Sequence, residues 1–230
     1  MVYVCSDLHG YYDEYIEFLN YVNFKNDDTL YIIGDVFDRE SDGIAIIKDI
    51  MERDNVILIK GNHEHTLIEE FLQLAQVGNN KSDALDLIEE FLATESIGQE
   101  STLYSFLELN LDEKYDIINY LNSLSCYEEI SINGNDYLLI HGGISADDVY
   151  TPIDFFEPTD LIFGPHDFDI DYEYATIIVG HLPTRFIDGA EPDFIYHNKD
   201  SICVDCGLGF GGRLGVLCLD NMQEYYFQIK

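Results

Sequence analysis

The chain has 230 residues, 47% of them hydrophobic, and a formal charge of −34 from 45 acidic against 11 basic side chains. Eleven Lys and Arg cannot build a basic face, which argues against nucleic-acid binding through a phosphate-neutralising patch. No apolar run approaches a membrane span. A chain of this length buries one sizeable core, so a single soluble domain over residues 1–230 is expected.

The first apolar, β-branched run, Val2-Tyr3-Val4-Cys5, ends at Asp7-Leu8-His9. After Gly10, the residues Tyr15, Phe18, Leu19 and Val22 fall on one helical face. A second run, Leu30-Tyr31-Ile32-Ile33, ends at Gly34-Asp35-Val36-Phe37-Asp38-Arg39, and Ile44, Ile47 and Ile50-Met51 repeat the helical spacing. The third run, Val56-Ile57-Leu58-Ile59, ends at Gly61-Asn62-His63-Glu64. That motif opens a helix through Leu67, Ile68, Phe71, Leu72 and Ala75, stopped by Gly78-Asn79-Asn80. Residues 82–125 read as helical, acidic and free of proline. With the preceding helix they form a helical insertion, about 65–125, covering one flank of a cleft. Beyond Tyr127 strands return, and Asn133-Gly134-Asn135 signals a hairpin turn. Tyr137-Leu138-Leu139-Ile140 then ends at His141-Gly142-Gly143, and Ala175-Thr176-Ile177-Ile178-Val179 ends at Gly180-His181. The alternating pattern predicts an α/β fold with parallel strands and helices packed outside.

In an open α/β sheet the carboxyl ends of the strands line the binding crevice. Asp7, His9, Asp35, Asn62, His141 and His181 would converge there from five distant stretches. Hard oxygen and imidazole nitrogen donors in this mixture suit two divalent metal ions, and point to metal-assisted hydrolysis. Each motif alone is ordinary, since a Gly-Asp or Gly-His pair after a strand is usually a turn. Their joint occurrence, always after an apolar run, carries the reading. Of the remaining histidines, His65, His166 and His197 are expected to be structural or exposed. An odd count of five cysteines argues against a disulfide framework, and Cys203 with Cys206 reads as core packing. A reducing cytoplasm fits this usage, and a strand starting at Val2 leaves no room for a signal peptide. The excess negative charge is read as a solubility feature, which bound cations would reverse locally.

These motifs resemble the calcineurin-like metallophosphoesterases, and within them the phosphoprotein phosphatase branch of bacterial and phage serine/threonine phosphatases. The resemblance runs from Val2 to about Leu219, including Ile202-Cys203-Val204-Asp205-Cys206-Gly207 and Phe210-Gly211-Gly212-Arg213-Leu214. It implies a four-layer α-β-β-α sandwich of two mixed sheets with outer helices. It also implies two divalent ions, Mn²⁺ first with Fe, Zn²⁺ or Mg²⁺ as alternatives. By motif position, Asp7, His9 and Asp35 would hold one ion and Asp35, Asn62, His141 and His181 the other, with Asp35 bridging. The ions would activate a shared water for direct attack on phosphorus. His63 is the expected general acid, oriented by Asp38, and Arg39 the expected phosphate fork.

The sequence departs from the family in two places. No Arg or Lys lies between His141 and Gly180, where the family usually carries a further phosphate-binding Arg. Arg185, Arg213 or His166 is expected to fill that gap, or else phosphate binds more weakly. Glu40-Ser41 also replaces a common Gly-Pro after Arg39. The leading expectation is a phosphatase acting on phosphorylated protein or a small phosphoester. A nucleotidase or dinucleoside-polyphosphate hydrolase is the enzyme alternative, and a non-catalytic metal-bound scaffold the alternative of another class. Oligomeric state is left open.

Overall fold

Successive residues of the first strand face two different cores. In the computed structural model, which describes residues 1–78, 80–94 and 99–229, strand β1 (Val2–Cys5) sends Tyr3 and Cys5 into one apolar cluster and Val4 into another. The two-residue period of a strand dictates this split. Strands β2 (Thr29–Ile33) and β3 (Val56–Ile59) follow β1 in parallel, crossing over through helices α1 (Tyr12–Tyr21) and α2 (Gly43–Met51). Four helices come next: α3 (Asn62–Val77), α4 (Lys81–Thr94), α5 (Glu100–Leu107) and α6 (Leu111–Ser123). The second half holds β4 (Tyr127–Ile132), β5 (Asn135–Ile140), α7 (Pro158–Phe163), β6 (Thr176–Val179), β7 (Tyr196–Asn198), β8 (Ser201–Cys203), β9 (Arg213–Cys218) and β10 (Gln223–Gln228). Of the expected stop after α3, Gly78 takes a left-handed φ of 66°, whereas Asn79 lies outside the described residues.

Two five-stranded mixed sheets result, in the orders β10-β9-β1-β2-β3 and β4-β5-β6-β8-β7. Val4, Ile33, Ile59 and Leu217 of the first share a cluster with Tyr137, Leu139, Ile178 and Ile202 of the second, so the sheets pack face to face. On the outer face of the first sheet, Tyr3, Ile32, Leu58 and Val216 pack under Phe18, Ile47, Phe71 and Ile118 from the helices. The outer face of the second sheet, Leu138, Ile140, Ile177 and Val179, is covered by Leu161 of α7 and by Ile144, Ile170 and Tyr172 of connecting chain. This is the expected four-layer sandwich with a thin fourth layer.

The helical insertion packs into the first outer layer. Leu67, Ile88, Leu103, Phe106 and Leu121 belong to the same cluster as β1 and β2, and Phe71 stacks flat on Phe106 at 3.8 Å. Fully burying such side chains stabilises the fold by about 1.5–3 kcal/mol each. The expected hairpin joins β4 to β5, with Asn133 and Gly134 both at positive φ, as a two-residue primed turn requires. Cys203 packs in the outer cluster of the second sheet and Cys206 between the sheets, both as free thiols. No helix of the described residues is long and apolar enough to cross a membrane.

Candidate metal centre

Five strand ends meet where the two sheets abut. Asp7 and His9 follow β1, Asp35 follows β2, Asn62 opens α3 after β3, and His141 and His181 follow the paired strands β5 and β6. The first two loops are stitched together: Asp7 N–H donates to Gly34 O at 3.1 Å and His9 N–H to Asp35 O at 3.0 Å. Asp7, His9, Asp35, Asp38, Arg39 and His181 all have φ between 45° and 75°. Left-handed backbone costs a non-glycine residue about 1–2 kcal/mol and persists only where the surroundings dictate it. Among the described residues only five further non-glycine residues share it, so the strain concentrates here. Gly34 makes the convergence possible: a Cβ there would sit 2.5 Å from His141 Nδ1 and 2.6 Å from Gly61 Cα.

The donors fall into two groups that share one carboxylate. His9, Asp35 and His63 form one, and Asp35, His141 and His181 the other, with donor atoms within 4.8 Å of one another in each. His141 Nε2 lies 3.2 Å from Asp35 Oδ2, and Asn62 Oδ1 lies 2.9 Å from both His141 Nε2 and His181 Nδ1. Asp7 Oδ1 is 3.8 Å from His9 Nε2, while its Oδ2 accepts the His181 N–H at 3.0 Å. The structure therefore brings the six expected ligands together. Asp7 nevertheless stands outside both three-ligand groups, and His63 joins His9 and Asp35 instead.

Backbone carbonyls set the ring tautomers. His9 Nδ1 meets Phe37 O at 2.9 Å and His141 Nδ1 meets Ile33 O at 2.8 Å. A carbonyl only accepts, so both Nδ1 atoms carry hydrogen and both Nε2 atoms face the site. His141 Nε2 then meets the acceptors Asn62 Oδ1 and Asp35 Oδ2 either as an imidazolium or as a third acceptor around a cation. The donor set fits a divalent ion in the second case.

Charge reinforces that fit. Burial pulls His141 down, but Asp35 outweighs it and pushes the imidazole up to about 10. Burial likewise opposes His63, yet Asp35 and then Asp38 raise it to about 9. Burial pushes Asp35 up, and His141 and His63 overcome it to hold that carboxyl far below the usual range. Burial first, helped by the Asp35 charge, takes Asp7 up to about 6; burial first, helped by neighbouring cationic side chains, takes His9 and His181 down to about 3 and about 4. A buried carboxylate that draws two imidazoles toward imidazolium has a strong attraction for positive charge, as a cation site needs.

A cavity of about 530 Å³ opens over this cluster, lined by His9, Asp35, Arg39, Asn62, His63, His181 and Phe210. The buried Asp38 Oδ2 meets His63 Nδ1 at 2.5 Å, leaving His63 Nε2 3.8 Å from Asp35 Oδ2. Asp38 N–H donates to Thr102 Oγ1 at 3.0 Å, so helix α5 of the insertion steadies the pair. The Arg39 guanidinium lies 3.9 Å over the Phe210 ring, with its buried Nε unpartnered.

The other expected phosphate contacts are not brought to this wall. Arg185 forks onto Asp193 at 2.7 and 2.8 Å and donates Nη1 to Phe210 O at 2.9 Å. Arg213 stacks 4.1 Å over Phe194. His166 accepts the Ile144 N–H and meets Ser201 Oγ at 2.8 Å, a structural role, while His65 packs on Phe163 and His197 pairs with Glu224.

One residue had no role assigned from sequence. The fully buried Glu64 accepts the Asp35 and Gly61 N–H groups through Oε2, at 2.8 and 2.9 Å, and the Val36 N–H through Oε1 at 2.8 Å. Its place four residues after Lys60, at the start of a helix, was the available signal, because a carboxylate at a helix third position caps backbone donors.

Residues 1–210 match the model of the calcineurin-like phosphoesterase family. Over 86 residues the chain is 33% identical to a symmetrical bis(5'-nucleosyl)-tetraphosphatase of Proteus mirabilis, covering 36% of this chain and 31% of the relative. Over 133 residues it is 31% identical to a protein of the same name from Buchnera aphidicola, covering 56% and 47%. The chain thus spans less than half the length of these curated relatives. A solved structure of a candidate diadenosine tetraphosphatase superposes with a TM-score of 0.66 at 16% identity, covering 99% of this chain and 92% of the other, a likeness of fold.

Proposed function

The chain belongs to the calcineurin-like phosphoesterases, and we propose that it hydrolyses the phosphoanhydride of dinucleoside polyphosphates with two divalent ions, Mn²⁺ foremost. The observation that carries the reading is Asp35, whose carboxylate is common to two ligand groups beneath a single cavity. Asp7, His9 and Asp35 would hold one ion, and Asp35, Asn62, His141 and His181 the other. Bound there, the ions would supply an activated water and positive charge for phosphate oxygens.

The protein's own side chains do the rest. Arg39 turns a forked donor set to the phosphate. His63 holds a proton at Nε2 for the departing oxygen, because Asp38 occupies Nδ1 and favours the imidazolium. Buried beneath the cavity floor, Asp7 and His141 are 2% and 0% exposed, which keeps bulk water from screening this chemistry.

Sequence motifs placed phosphoprotein first and dinucleoside polyphosphates second. The named relatives support the second. A phosphopeptide substrate is favoured by one observation, the His63–Asp38 pair, which suits poor leaving groups. A substrate panel with added Mn²⁺ separates the readings. Diadenosine tetraphosphate should be cleaved to two molecules of ADP with higher kcat/KM than a phosphoserine peptide or p-nitrophenyl phosphate. Preference for the phosphopeptide would return the protein-phosphatase reading, and turnover of none of them by metal-loaded protein would leave a scaffold.

A further inference from the structure

Arg39 is an arginine without a carboxylate in a chain that has four carboxylates for every basic residue. The chain holds four arginines. Arg53 and Arg185 each chelate an aspartate, Asp49 and Asp193, through two hydrogen bonds. Arg39 and Arg213 make no ion pair among the described residues; Arg213 stacks on Phe194 away from the cavity, whereas Arg39 stands unpaired at the cavity wall although Asp38, Glu40 and Asp42 are its neighbours in sequence. Asp38 is committed to His63. What Arg39 has instead is the Phe210 ring, 3.9 Å below its guanidinium carbon.

The ring is held firmly. Phe210 ends a single tight turn, Leu208–Phe210, set between Gly207 and Gly211, both in the left-handed region at φ 71° and 78°. Gly209 in its middle presses against the site: a Cβ there would lie 2.5 Å from both Arg39 Cδ and His9 Cδ2. Leu208 is buried beneath. Arg185, itself locked on Asp193, donates to the Phe210 carbonyl. A cation over an aromatic face is attracted by the ring quadrupole, and the contact uses none of its N–H donors. A carboxylate in the same place would use two of them and neutralise the charge.

We propose that Phe210 is a positioning residue: it holds Arg39 over the cavity by cation–π contact in place of an ion pair, leaving the guanidinium donors to the substrate's phosphate, and Arg185 serves this by anchoring the Phe210 turn. The proposal rests on the reading of the cavity as a phosphoester site. It gives Arg185 a part that does not involve touching the anion.

The test is calorimetric binding of inorganic phosphate to the Mn²⁺-loaded full chain. Phe210→Leu keeps the apolar bulk and removes the quadrupole, so phosphate should bind about three- to tenfold more weakly. Phe210→Tyr should restore wild-type binding. In an Arg39→Ala background Phe210→Leu should have no further effect, because Phe210 acts through Arg39. The Arg39 Nε–H resonance, shifted by the ring in the wild type, should move in Phe210→Leu and return in Phe210→Tyr. Steady-state turnover should show a raised KM with kcat held. Wild-type affinity in Phe210→Leu, or an equal loss in the presence and absence of Arg39, would overturn the proposal. If Arg39→Ala itself leaves phosphate binding intact, the reading of the cavity fails, an outcome distinct from an Arg39-dependent site indifferent to Phe210.

Discussion

The Glu64 carboxylate accepts the backbone N–H of Asp35 at 2.8 Å, from a residue that is itself fully buried. With its bonds to Val36 and Gly61, it ties the loop after β2 to the start of α3. That brace holds the shared carboxylate in its left-handed conformation. Glu64→Gln has one acceptor oxygen for three N–H donors, so at least one buried donor loses its partner. We expect a loss of about 1–3 kcal/mol in denaturation experiments, and metal affinity lower by about 10–100-fold. Unchanged stability and metal binding would show that the brace is dispensable.

His63 stands between two roles. Its Nδ1 is taken by Asp38, yet its Nε2 approaches Asp35 closely enough to group with His9 as a ligand. As a general acid, His63→Asn should lower turnover of a phosphoserine peptide by about 100-fold or more. p-Nitrophenyl phosphate, whose leaving group needs little protonation, should suffer much less, and metal content should not change. Loss of one ion per chain in this variant would make His63 a ligand instead.

The convergence of the candidate ligands is legible because each follows an apolar strand, and strand periodicity survives in sequence: Val2–Cys5 and Val56–Ile59 are found where the apolar runs predict them. The helices α1 and α2 were equally plain from their spacing. Glu64 was harder, because its partners are backbone N–H groups of a different loop and leave no residue pattern. Arg185 was misjudged for a related reason. A charged side chain reveals its type but not its partner, and Asp193 eight residues later claimed it first. That the Phe210 ring lies under Arg39 depends on two chain segments 171 positions apart, the loop after β2 and the turn before β9, two strands that flank β1 in one sheet.

His166 gives a pH dependence away from the metal ligands. Burial lowers its imidazole to about 4, and the Ile144 N–H donated to Nδ1 requires the neutral ring. A folded value below the unfolded 6.5 means that the unfolded chain binds more protons between the two. The contribution is therefore complete above about 6.5 and lost as pH falls toward 4. Its full size is about 3 kcal/mol at about 1.4 kcal/mol per unit. His166→Asn should flatten the stability profile over this window relative to wild type in urea titrations. Parallel profiles for the two proteins would contradict the assignment.

Glycine at position 209 is set by contact. Adding a Cβ 2.5 Å from His9 Cδ2 and Arg39 Cδ must shift the turn or both side chains. Gly209→Ala should thus impair phosphate binding and metal retention together, with global stability reduced by about 1–3 kcal/mol at most, the usual cost of overpacking. Wild-type phosphate affinity in this variant would show that the turn can yield without disturbing Arg39.

Elemental analysis of the chain after Mn²⁺ loading and removal of free metal tests the central claim, a dinuclear site built on Asp35, most directly. Two ions per wild-type chain are expected. In Asp35→Asn, with circular dichroism unchanged, at least one ion should be lost, since the shared ligand has lost its charge. A folded wild type that retains no metal, or an Asp35→Asn variant that retains both ions at wild-type affinity, would contradict it.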